Sequence, residues 1–248
     1  MMRNALLGIA AAAVATALVM ASPTMAGARP AAAPSNAAPA VGAVSGPTDF
    51  GFAGYQVTKP KAPLNSASAS FVVPSITCKK NFSGVGPSVV ISSTGSKKRP
   101  STFSGAGIGV GCQHKTPAYQ AIITVNGTTS NPSFKVAAGD TFNVSVKMTT
   151  ARTKVTVDDT TSGAHKTVLG KGRTGVTAQI GNRSLSINKK GVGLDPFTKT
   201  KITGAEVNRK SLTAEKAVRY TWVRGSRVLV AASRLTDGRT FTVSFRHS

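Results

Sequence analysis

From Asp49 onward, apolar and polar positions alternate with a period of two. Phe142, Val144, Val146 and Met148 are separated by Asn143, Ser145 and Lys147. Val218, Tyr220 and Trp222 are separated by Arg219 and Thr221, and Phe241, Val243 and Phe245 by Thr242 and Ser244. A strand turns successive side chains to opposite faces, so each run predicts a strand with one face in a core. Helical spacing is absent over this region, except for one turn around Thr213 to Ala217. Asn126-Gly127, Ala138-Gly139-Asp140, Ser162-Gly163, Ile180-Gly181-Asn182 and Asp237-Gly238 read as turns. Short strands punctuated in this way predict an all-β fold, an antiparallel double-sheet sandwich forming one domain over residues 49–248.

The first residues follow another pattern. Arg3 precedes an unbroken run of apolar and small residues from Ala5 to Met20. Ala26-Gly27-Ala28 then offers a cleavage site, with Thr24-Met25-Ala26 as a second option. The run is shorter than the ~20 residues that span a bilayer, so residues 1–28 read as a secretory signal. Residues 29–48 are Ala, Pro, Gly and Ser with few large apolar groups, a composition that does not offset ordering entropy, and they read as a disordered leader. The expected location is extracellular or on the cell envelope. Export places Cys78 and Cys112, the chain's two cysteines, where disulfides persist. Pairing them would contribute about 3.5–4 kcal/mol on a chain-entropy model.

Charge narrows the partners. The chain carries 31 Lys and Arg against 8 Asp and Glu, a net +23. Basic clusters occur at Lys79-Lys80, Lys97-Lys98-Arg99, Lys189-Lys190 and Arg209-Lys210. Arg219, Arg224, Arg227, Arg234, Arg239 and Arg246 follow. An exported chain of this charge is expected to bind anionic envelope or extracellular polymer through its basic surface. No aromatic platforms interleave with the charges, so no specific nucleic-acid site is expected. Three dispersed histidines (His114, His165, His247) and two cysteines without a C-x-x-C predict no metal site. No cofactor is expected either. Gly170 to Gly175 fits G-x-G-x-x-G, but strand-like residues follow it and no acidic residue lies ~20 positions on, so it reads as a basic hairpin loop. The expected state is a monomer.

The order of segments resembles the secreted glutamic peptidases, the eqolisin family. Phe52-Ala53-Gly54-Tyr55 is similar to the family's opening Trp-x-Gly-Tyr, and Phe71-Val72-Val73-Pro74 followed by Cys78 to its F-x-V-P strand and first cysteine. Phe134 to Met148, with Ala138-Gly139-Asp140, resembles its A-G-D-T strand pair, continued by Val155 to Gly163. The closing Phe241-Thr242-Val243-Ser244-Phe245 resembles its F-T-V-x-W end. The resemblance implies a lectin-like jelly-roll sandwich. It also implies acid endopeptidase chemistry, in which a Glu activates water and a Gln on the concave sheet holds the oxyanion.

The catalytic positions depart from the family. Its S-T-x-E-Q-x-G segment aligns without gaps to Ser101 onward, which places Gly105 at the catalytic Gln. Loss of such a donor costs about 2.7–4 kcal/mol of transition-state stabilisation. Gly204-Ala205-Glu206 resembles the start of the family's A-E-W-I-V-E strand, making Glu206 the candidate catalytic acid, while Lys210 stands at the motif's second glutamate. The family's W-V-G-I-D-G becomes Ser88 to Ser93, and its W-Y-E becomes Ile122-Ile123-Thr124. The implied protein is a glutamic-peptidase-like chain with an impaired centre that binds anionic polymer. Its rivals are an active acid endopeptidase pairing Glu206 with a displaced donor, Gln113 or Gln120, and a structural envelope protein.

Overall fold

The computed structural model describes residues 47–49, 51–59, 62–94, 101–187, 190–191 and 193–246. The expected signal and most of the leader lie outside these residues, as do Lys97, Lys98, Arg99 and His247. Strands β1 (Thr48–Asp49), β2 (Phe52–Thr58) and β3 (Ser66–Val72) come first. The longest strands follow, β4 (Phe82–Ser93), β5 (Thr102–Gln113) and β6 (Thr116–Val125). Next are β7 (Thr128–Ser130), β8 (Thr141–Met148), β9 (Arg152–Asp159), β10 (His165–Lys171) and β11 (Gly175–Ser184). After β12 (Ser186–Ile187) and β13 (Lys190–Gly191) come β14 (Thr200–Val207), β15 (Lys210–Ser211), β16 (Val218–Arg224), β17 (Arg227–Ala232) and β18 (Phe241–Phe245).

These strands form two layers. The first runs β10-β9-β8-β3-β14-β18-β17-β16 and the second β16-β2-β11-β4-β5-β6-β7. Pairing along both is antiparallel; β1, at the edge, runs parallel to β16. The first layer sends Phe71, Phe142, Val144, Ile202 and Phe241 inward, and the second sends Tyr55, Val89, Ile91, Ile108, Ile123 and Ile180, all into one continuous core. Burying each such side chain stabilises the fold by about 1.5–3 kcal/mol. Tyr55 and Phe241 meet edge-to-face between the layers, their centroids 4.8 Å apart. The expected double-sheet sandwich is thus the observed one.

Strand β16 belongs to both layers and breaks the alternation read from its sequence. Val218 to Tyr220 pair with β2, whereas Thr221 to Arg224 pair with β17, with a register shift between Trp222 and Val223. Trp222 is therefore in the core while Val218 is 46% exposed. Two local expectations also change. Ile180-Gly181-Asn182 is the middle of β11, not a turn. Gly181 serves close approach of β2 there, because a Cβ on it would lie 2.6 Å from the Gly54 Cα. The loop after Gly170-Lys171 carries the chain from β10 in one layer to β11 in the other, so it is a crossover and not a hairpin. Thr213 to Lys216 form a turn, in which the Glu215 amide donates to the Ser211 carbonyl at 3.0 Å, and no helix is present among the described residues.

Cys78 and Cys112 form the expected disulfide, with Cα atoms 5.6 Å apart. It ties the segment joining β3 to β4, where the chain changes layer, to the end of β5. Among the described residues no helix is long and apolar enough to cross a membrane.

Candidate functional site

The outer face of the second layer is hollowed into a groove of about 540 Å³. Side chains two apart along a strand share a face, so the ladder registers set out that face of the sheet in rows. Gln56, Gln179, Val90, Gly105 and Thr124 form one row across β2, β11, β4, β5 and β6. Gly54, Gly181, Ser88, Gly107 and Ile122 form the next. One step further, Arg183 stands beside Gly86. Glycine on this face is a matter of space. A Cβ on Gly105 would lie 2.3 Å from the Val89 carbonyl oxygen, and one on Gly107 2.3 Å from that of Pro87. No side chain enters at either position unless the backbone moves.

A chain of polar side chains crosses the face. Arg183 Nη1 donates to Gln179 Oε1, and Gln179 Nε2 donates to Gln56 Oε1 at 2.7 Å. Gln56 Nε2 donates in turn to Thr58 Oγ1 at 3.1 Å and Tyr220 OH at 3.3 Å. Burial pushes the Arg183 guanidinium below its usual pKa, and the nearby Asp49 carboxylate opposes that shift. Charge in this partly desolvated setting is felt more strongly than at an open surface. Arg183 is the one charged side chain among the described residues lining the groove.

None of the eight carboxylates lines it. Asp140, Asp159 and Asp237 accept backbone N–H groups within turns. Asp195 is buried and accepts the Lys79 and Lys80 amides and the Ser83 hydroxyl. Asp49 accepts the Gly51 amide at 2.7 Å. Glu215 is buried in an ion pair with Lys59, and Asp158 pairs with His165. Each carboxylate already has a structural partner.

Glu206, the last of the eight, lies on β14 of the first layer, cross-strand from Ser68 and Ser211. Its neighbours Ala205 and Val207 are buried in the core, so its own side chain points out of the opposite side of the sandwich. There Arg239 Nη1 approaches its Oε1 at 3.0 Å. The fold does not bring Glu206 and Gly105 together. Of the two displaced donors considered, Gln120 lines the groove, while Gln113 is exposed at the end of β5. Arg219 lies on β16 opposite Tyr55, and Arg224 and Arg227 face each other at the exposed β16–β17 turn. Gln179 and Arg183 are not legible as a site in the sequence because Gly181 between them reads as a turn, and Gln56 joins them only through the β2–β11 register.

One further line of polar groups runs Asp158–His165–Thr167. Thr167 Oγ1 lies 3.2 Å from His165 Nε2 and 3.0 Å from Thr156 Oγ1. It lies on the outer edge of the first layer, with the His165 and Asp158 side chains 59% and 41% exposed. Water solvates the histidine there, and cross-strand pairing accounts for the contact.

A strand sandwich with a groove across one sheet defines a class, and comparison with known proteins names it. The Peptidase A4 family model matches residues 51–245. The chain belongs to that family, the eqolisins. Scytalido-glutamic peptidase, solved with a transition-state analogue inhibitor, superposes with a TM-score of 0.65 at 15% identity, over 80% of this chain and 99% of that one. SCP-B, an eqolisin in complex with the tripeptide Ala-Ile-His, gives 0.61 at 15% identity over the same shares. Aspergilloglutamic peptidase from Aspergillus niger gives 0.50 at 15% identity, over 65% of this chain and 99% of that one. A comparison with curated proteins finds no match.

Proposed function

We propose that this chain is an exported eqolisin that has kept the peptide-accepting groove and lost hydrolysis, and that it acts by binding. The carrying observation is the absence of any carboxylate from the groove. A glutamic mechanism needs a carboxyl within hydrogen-bond reach of the attacking water and a preorganised donor for the oxyanion. Gly105 supplies no donor side chain, and both glutamates of the chain are engaged elsewhere. On this reading the family's A-E-W-I-V-E strand corresponds to β11 and not to β14. Its Ala178 to Arg183 segment shares the sheet with Gly105, and Gln179 shares the cross-strand row. Gln179 and Arg183 then occupy the two glutamate positions, and the acidic cleft has become neutral to basic.

The expected ligand is anionic. Two shallow depressions add basic surface, one lined by Lys147 and Arg209 with Asn65 and Asn208, the other by Lys171 and Arg173. With a net charge of +23, long-range attraction to envelope or extracellular polyanions follows.

The test is incubation of the purified protein with denatured protein substrate between about pH 2 and 5, where carboxyl groups change protonation. The expected result is intact substrate. Cleavage that disappears in Glu206→Gln would return the chain to the acid endopeptidases.

A further inference from the structure

We propose that Arg183 is the anchor of a carboxylate subsite in the groove, and that its occupant is an acidic polypeptide segment. The inference rests on the reading of the groove as a binding surface and adds what that surface selects.

Arg183 has the properties of a built anion site. Its guanidinium projects from the middle of a sheet and not from a loop, and it is half-buried. Gln179 holds it from one side and is itself held by Gln56, so the fork is oriented before a ligand arrives. Preorganisation of this kind removes the side-chain ordering cost of binding. A guanidinium carries five N–H donors, and Gln179 takes one through Nη1. None of the eight carboxylates lies within ion-pair distance of Arg183, although Asp49 is near enough to influence its proton affinity. A half-buried cation lacking a partner carboxylate favours an incoming anion, and a carboxylate matches the fork in bidentate fashion.

The surrounding groove suits an extended peptide. Its glycine floor lets a backbone lie close, and Ser88, Gln120 and Asn131 offer polar groups around it. Val90, Ile122 and Leu185 provide aliphatic contact. Phe103, 46% exposed, adds one aromatic ring. A peptide with an Asp or Glu side chain over Arg183 satisfies both the charge and the apolar lining.

The experiment titrates the full chain with three probes. Two are end-blocked pentapeptides alike except for a central Glu or Gln, and the third is a short oligogalacturonate. The Glu peptide is expected to bind about 10–100-fold tighter than the Gln peptide, the range for a charge-assisted contact in a partly dry site. Arg183→Gln should abolish that difference, chiefly by weakening the Glu peptide. Arg183→Lys, which keeps the charge and loses the fork, should retain only part of it. It carries the test if Arg183→Gln fails to fold. Lys201→Gln, on the far layer, should change nothing.

Equal binding of the two peptides, or a preference that survives Arg183→Gln, overturns the subsite and leaves the groove reading intact. Tighter binding of oligogalacturonate than of either peptide overturns the polypeptide assignment. Failure of both peptides to bind overturns the groove reading together with the inference.

Discussion

Gly105 is closed to side chains by the Val89 carbonyl, which would sit 2.3 Å from a Cβ. Gly105→Gln should therefore destabilise the fold by about 1–3 kcal/mol, the usual cost of overpacking, and should restore no peptidase activity. Denaturant midpoints and an acid protease assay measure the two halves of that prediction. Two ion pairs separate by burial. Glu206 and Arg239 keep 27% and 47% of their side chains exposed, so Glu206→Gln should change stability by no more than about 1 kcal/mol. Lys59→Met leaves Glu215, 1% exposed, without its cation. Its cost should approach the ~3–5 kcal/mol of a broken buried pair, lessened because Lys59 itself is 34% exposed. Thermal melts of the two variants should differ clearly, and equal losses would contradict this assignment. The sequence does not say which face receives Glu206. It is one of two glutamates in the chain and lies in a strand-like segment, but a strand's local pattern does not say which of two layers will receive it.

Strands explain why some of the fold was legible and some was not. β8 and β18 show clean alternation because each stays in one layer with one face on the core. β16 does not, because it passes between layers, and its apolar residues at either end face different surroundings. β11 was cut in two by Gly181, whose purpose is contact with Gly54 and not a change of direction. The disulfide belongs to this scale as well. It pins the passage from β3 to β4 against β5, across a separation of 34 residues. Replacing both cysteines by alanine should lower unfolding free energy by about 2–5 kcal/mol, read from chemical denaturation. A change well below that range would mean that the layer crossing is held by packing alone.

The whole molecule is a polycation whose groove is lined by no Asp or Glu. Its net +23 predicts retention on an immobilised polyanion that weakens steadily as salt rises, because each neutralised charge releases a counterion. Preference for a Glu peptide over its Gln counterpart should fall less steeply with salt, since Arg183 is partly shielded from the Debye atmosphere. Parallel slopes would place both effects on the open surface.

The class of fold, the cysteine pair and the excess of positive charge were legible in the sequence alone. Each of these follows from local periodicity, from composition or from a short motif. Only the tertiary structure decided which residues share the groove. Gln56, Gln179 and Gly105 are far apart along the chain and fall in one cross-strand row through ladder register, while Glu206 is carried to the opposite face of the other layer. Register and layer choice are set by non-local packing of two sheets on one core, and no local pattern encodes them.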